Sequence, residues 1–216
     1  MTDFERLRRG MVDCQIRPAD VTDHDVISAF LTVPRERFVA DGRASLAYLD
    51  SRAPLEVAGR AMLEPMTLAK LVQLAAPRAG EKALVVGCGL GYTAALLDEL
   101  GLQVVALEVD PTLAAEARTR LADRPNVTVF EGPLPSGAPD HAPFDLIFCD
   151  GAVADGLDAL GRQLAPQGRL LAIAGDARST RATVFRPQKA GLSAAPAFDA
   201  YGPTLPGFDR AEAFAL

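Results

Sequence analysis

The chain of 216 residues is 49% hydrophobic, carries a formal charge of -6 and contains three cysteines. Such a length buries a substantial core as one principal domain with an appendage, and an acidic balance without a long basic run excludes broad attraction to a nucleic-acid backbone. No apolar run reaches the roughly 20 residues that span a bilayer, MTDFERLRRGMVD lacks a signal-peptide core, and Cys14, Cys88 and Cys149 show no paired spacing, so a cytoplasmic protein with small buried thiols, no membrane association and no nucleic-acid partner is expected.

In chain order, the first predicted helix lies in DVTDHDVISAFLTV. Thr22 is the expected N-cap, Asp25 follows three residues later, and Val26, Ile27, Phe30 and Leu31 recur at helical spacing until Pro34 stops the helix. LDSRAPLEVAGRAML contains several breakers and reads as an irregular or short-strand connector. Pro65 opens the next helix, which shows an apolar stripe of Leu68, Leu71, Val72 and Leu74 and ends before Pro77.

Five short apolar runs follow: KALVVG, QVVALEV, NVTVFEG, FDLIFCDG and GRLLAIAG. Most are separated by segments of helical spacing, and their continuous hydrophobicity predicts strands buried on both faces of a parallel, helix-covered sheet. The tail, TVFRPQKAG and then AFDAYGPTLPGF, is strand-like without an intervening long helix. An antiparallel hairpin at the sheet edge accommodates its prolines.

Between the first of these strands and its helix stand Gly87, Cys88, Gly89, Leu90, Gly91 and Tyr92. A turn at this end of a doubly wound sheet is a ligand crevice, and glycine lets the backbone approach a cofactor closely. Glu108, seventeen positions after Gly91, sits at the tip of the second strand, where a carboxylate accepts hydrogen bonds from ribose hydroxyls. A dinucleotide fingerprint wants its third glycine at 92, where Tyr92 stands, and no phosphate-gripping GK[ST] is present. G-x-G-x-G is instead the pattern of S-adenosylmethionine (SAM) methyltransferases. His24 and His141 lack metal-ligand spacing, so no metal is expected. Asp145 reads as a structural acid at a strand start.

AFLTVPRERFVADGRASLAYLD, AMLEPMTLAKLVQLAAP, KALVVGCGLGYTAALLDELG, APFDLIFCDGAV and LAPQGRLLAI together resemble, in order and spacing, the protein-L-isoaspartate O-methyltransferase family, from about Val26 to Ile173. The resemblance implies a Rossmann-like α/β sheet with an N-terminal helical addition over 1–60 and a SAM-binding domain over 61–216 that ends in the edge hairpin. It implies methyl transfer from SAM to the α-carboxylate of isoaspartyl residues in damaged proteins, hence a protein or peptide substrate. Gly87, Cys88, Gly89, Gly91, Tyr92, Glu108, Gly132 and Asp150 are the candidate cofactor-binding residues.

Against the family pattern, Val85 stands where an acid precedes the first glycine, Gly132-Pro133-Leu134 replaces Gly-Asp-Gly, Leu63 replaces a serine of the substrate segment, and Cys149-Asp150-Gly151 replaces Thr-Ala-Ala. No catalytic residue is assigned at Leu63. Asp150 has two readings, a turn or cap acid and a carboxylate entering the crevice beside the cofactor or acceptor. Two functions remain open on these grounds: an active SAM-dependent O-methyltransferase, and a non-catalytic member keeping the scaffold to bind a nucleoside or a partner.

Overall fold

Ala83, Leu84, Val85 and Val86 are all inaccessible to solvent, yet they divide between two cores: Ala83 and Val85 pack on one side, Leu84 and Val86 on the other. Successive side chains of a strand point to opposite faces, so this division is what a strand covered on both sides must show. A computed structural model describes residues 3–176, 179–189 and 191–208.

Helix α1 (Phe4–Met11), α2 (His24–Thr32), the two-residue strands β1 (Ala53–Pro54) and β2 (Ala61–Met62), and α3 (Pro65–Ala75) precede the main sheet. Then come β3 (Lys82–Val86), α4 (Tyr92–Glu99), β4 (Gln103–Glu108), α5 (Pro111–Arg120), β5 (Val127–Glu131), β6 (Phe144–Val153), α6 (Asp158–Gly161), β7 (Leu164–Asp176), β8 (Ser179–Gln188) and β9 (Gly191–Asp199). The seven strands run in the order β5-β4-β3-β6-β7-β8-β9. The first five are parallel, and β8 and β9 extend the edge antiparallel. The order reverses at β3, whose neighbours are β4 and β6, and such a switch point opens a crevice at the C-terminal ends of the strands. Pro187 and Pro196 both lie in the outer hairpin, as the edge reading requires.

The two layers differ. Residues from α1 to α5 join the alternate set of strand side chains in one large core. The opposite face is covered by short pieces: Leu134, Ala138, Leu160 of α6, and Leu205 and Phe208 of the returning C-terminal segment. That segment is held by backbone bonds, Ala152 N to Pro203 O and Leu205 N to Ala152 O.

Three expectations need correction, and one helix was not anticipated. Strand β5, at the sheet edge, has half-buried and exposed residues instead of being buried on both faces. The cap of α2 is Asp23, not Thr22: its carboxylate reaches the N–H groups of Asp25 and Val26, while the Thr22 N–H donates to the Gln73 side chain. Helix α1 escaped the sequence reading because it is short and largely polar. Asp3 caps it, Glu5 and Arg8–Arg9 sit at the favourable ends of its dipole, and Phe4, Leu7 and Met11 face the core. Cys14 is exposed rather than buried; Cys88 and Cys149 are buried, in the cores on opposite faces of the sheet. No helix among the described residues is long and apolar enough to cross a membrane.

Candidate functional site

Strand β3 ends in a turn that only glycine fits at its first position. Gly87 has φ of 76°, and a Cβ there would fall 2.6 Å from Leu205 Cδ2. Gly91, with φ of 99°, caps α4 and sets the direction in which the helix leaves. The N–H groups of Gly87 and Cys88 both bond to Leu107 O, which locks the turn against the tip of β4.

Glu108 ends β4 and is wholly buried. Its carboxylate accepts five hydrogen bonds. Oε1 takes Arg60 Nη1 (2.7 Å) and the N–H groups of Val109 (2.9 Å) and Asp110 (3.1 Å); Oε2 takes Arg60 Nη2 (2.8 Å) and Gly89 N (2.8 Å). Arg60, in the connector between β1 and β2, also donates to Gly87 O at 3.2 Å. Burial works against its charge, but the Glu108 carboxylate outweighs that and holds the guanidinium pKa above its ordinary value. A paired fork of this kind satisfies both buried groups at once.

Asp150 lies in β6, on the other side of β3, where Val86 pairs with Cys149. It is 8% exposed. Thr93 Oγ1 donates to its Oδ2 at 2.6 Å, while Oδ1 is buried with no hydrogen-bond partner. Burial pushes its pKa up to about 6, opposed by the Thr93 hydrogen bond and by the charges of Arg60 and Arg35. Asp150 is therefore neither a turn acid nor a helix cap.

Leu55, Ala61, Met62, Gly87, Cys88, Gly89, Leu90, Tyr92 and Asp150 enclose a pocket of about 10 Å³. Four of the predicted cofactor residues besides Asp150 thus meet at one place, with Glu108 bonded to it through Gly89. Gly132 stands beside them: its N–H donates to Glu108 O (3.0 Å), and a Cβ there would crowd Phe130 at 3.1 Å. Gly91 faces Leu121 instead of the pocket. Tyr92 packs between Phe30 and Phe38 with Arg35 5.0 Å from its ring centroid, and burial raises its pKa, so it stays a protonated hydroxyl. Cys88 and Cys149 are likewise held as thiols by burial.

Leu63 does not reach this pocket. Its side chain belongs to the helical-side core, beside the position of Gly202, and its carbonyl accepts from Arg35 Nη2 at 2.7 Å. Asp145 has the structural role expected, since its Oδ2 accepts from Lys82 N at 2.9 Å. Sequence reasoning missed Arg60, Leu55 and Leu205. A single arginine or leucine in a connector carries no periodic signal, and only the folded chain shows what it touches.

The carboxylate, the glycine turn and the small residue at 132 suit a nucleoside, whose ribose needs acceptors and whose base needs close backbone approach. Leu55 lines the pocket, and Leu205 and Arg60 stand against the Gly87 turn. Nucleoside-sized sites measure roughly 300–1,000 Å³, far more than the space open here.

The family model for protein-L-isoaspartate(D-aspartate) O-methyltransferase matches residues 8–195. A protein-L-isoaspartate O-methyltransferase of Koribacter versatilis is 36% identical over 194 residues, covering 89% of this chain and 87% of the relative. One of Methylorubrum extorquens is 38% identical over 170 residues, covering 78% and 74%. Among solved structures, a protein-L-isoaspartate O-methyltransferase aligns over 93% of this chain with a TM-score of 0.80 at 22% identity; this chain spans 66% of that one. A beta-aspartate methyltransferase of Plasmodium falciparum, in complex with S-adenosyl-L-homocysteine, aligns over 95% of this chain and 99% of its own with a TM-score of 0.77 at 16% identity. These two structures share the fold: a mostly parallel seven-stranded sheet with a helical layer and an antiparallel edge. The sequence matches go further, and by them the chain belongs to the protein-L-isoaspartate O-methyltransferase family.

Proposed function

We propose that the protein is a SAM-dependent O-methyltransferase that methylates the free carboxylate of isoaspartyl residues in peptides or proteins. The observation that carries this reading is the glycine turn of β3 bonded to a buried carboxylate at the tip of β4, Gly89 N to Glu108 Oε2 at 2.8 Å, in a chain that belongs to this family. When bound, SAM supplies a methyl group activated by its sulfonium.

Glu108 is the ribose acceptor, and its two oxygens become available when the Arg60 fork lets go. Gly87 and Gly89 keep the floor of the crevice free of Cβ atoms, and Gly132 does the same beside β5. Leu55, Met62 and Leu90 give the pocket apolar walls that exclude water, which strengthens electrostatic contacts made inside. An acceptor carboxylate is already a nucleophile at neutral pH, so the chain has no proton to remove and its task is alignment. Leu63, packed in the core, supplies no polar contact to that acceptor.

The test is incubation with methyl-labelled SAM and matched isoaspartyl and aspartyl peptides. The expected result is a base-labile methyl ester on the isoaspartyl peptide alone; no label on either peptide, with cofactor binding verified, contradicts the proposed reaction.

A further inference from the structure

Asp150 combines three features that the packing of the fold does not explain. It is an acid on a strand otherwise almost wholly apolar, it is buried, and one of its two carboxylate oxygens has no partner. Buried carboxylate oxygens are normally satisfied, and leaving one bare costs free energy in the absence of a ligand. The Thr93 hydroxyl satisfies only Oδ2; of the cations whose charge acts on Asp150, Arg60 is forked onto Glu108 and Arg35 donates to the Ala47 and Leu63 carbonyls. Among the described residues none donates to Oδ1.

The sheet order gives that oxygen a direction. Glu108 is at the tip of β4, Asp150 is in β6, and the turn of β3 lies between them. A ribose held on Glu108 has two substituents to place. On the β5 side stand Gly132 and the partly buried Phe130, with Glu131 between them half exposed and ion-paired with Arg118. On the β6 side stands Asp150, which shares its pocket with Leu55, Met62, Cys88 and Tyr92. The amino-acid arm of SAM is attached through the sulfonium at the far side of the ribose from the base and carries an ammonium group. Resting on the SAM-binding reading above, we infer that Asp150 Oδ1 receives the α-ammonium group of the cofactor's methionine arm. Asp150 is then a binding residue for the cofactor, with Thr93 as the positioning residue that fixes its carboxylate. Release of Arg60 from Glu108 leaves Asp150 without that nearby cation, and the ammonium takes its place.

Calorimetric titration of the full chain and of Asp150→Asn with two ligands tests this. S-adenosylhomocysteine carries the amino-acid arm; 5'-methylthioadenosine keeps the base, ribose and sulfur but lacks it. Charge-assisted hydrogen bonds are strong enough that losing one weakens binding tenfold or more. The expected result is at least a tenfold loss of S-adenosylhomocysteine affinity in Asp150→Asn with methylthioadenosine affinity unchanged. Equal losses for both ligands overturn the inference and make Asp150 a shaper of the pocket; unchanged affinity for both overturns it as well. If the parent protein binds neither ligand, the cofactor reading itself fails and the inference with it. A thermal scan shows that the variant is folded, and Thr93→Val supplies a second handle: it should weaken S-adenosylhomocysteine selectively, by less than Asp150→Asn.

Discussion

Two buried carboxylates flank strand β3, and the chain treats them in opposite ways. Glu108 has every acceptor site used, by a guanidinium fork and three backbone N–H groups. Asp150 has one hydroxyl and an empty oxygen, and burial pushes its pKa up to about 6. The first is a fully satisfied buried ion pair; the second is a buried carboxylate left half unsatisfied, at the expense of stability. Functional sites commonly store destabilisation of the second kind, while the first kind hides a site behind a satisfied contact.

The largest effect that sharpens this contrast is expected at Glu108. Glu108→Ala leaves Arg60 buried without its counter-ion and should lower unfolding free energy by about 3–5 kcal/mol in urea titrations. A loss below 1 kcal/mol would mean that the fork is loosely held.

Asp150→Asn should act in the other direction. The folded pKa of Asp150 lies above its ordinary 3.8, so the folded state binds the proton more tightly than the unfolded one. Its ionisation therefore removes stability as pH rises through about 4 to 6, by an amount of order 3 kcal/mol that is complete above that window. The groups that set this pKa besides burial are Thr93, Arg60, Arg35 and Glu108. Unfolding measured at pH 8 should show the Asn variant more stable than the parent, with the gain shrinking toward pH 4. A variant less stable at pH 8 than at pH 4, relative to the parent, breaks the contrast.

The smallest effect concerns Arg60 as a competitor. Arg60→Met keeps much of the side-chain volume and leaves Glu108 its three backbone donors. S-adenosylhomocysteine should then bind about tenfold tighter, equivalent to about 1.4 kcal/mol. Weaker binding would show that Arg60 assists the ligand after it is displaced.

How much of this was legible in the sequence depended on whether a residue's role is set by its neighbours in the chain or across it. Four of the five parallel strands declared themselves because doubly covered strands are largely apolar, whereas β5 is an edge strand with half-buried and exposed residues; the edge hairpin was legible because its prolines fit an edge. The glycine turn and Glu108 were readable from spacing, and Gly87, Cys88, Gly89 and Tyr92 line one pocket. Asp150 was ambiguous in sequence because a strand-end acid also suits a cap. The pairing of β6 with β3 and the Thr93 hydroxyl place it within a strand, which removes the cap reading. Arg60 was invisible: its importance lies in a contact spanning 48 positions, from a connector without periodicity. The same holds for Leu205, which reaches the Gly87 turn from the end of the described chain. Leu63 shows the converse case, a position marked by resemblance whose side chain the fold has taken into its core.

The most direct measurement of the central claim is calorimetric titration of S-adenosylhomocysteine into the parent protein and Glu108→Ala, each shown to be folded at the temperature used. Saturable 1:1 binding to the parent is expected, with a site that opens as Arg60 yields, and loss of that binding in the variant. No heat and no rise in Tm at millimolar ligand for the parent would contradict it, and would make the Arg60–Glu108 pair the permanent occupant of the crevice.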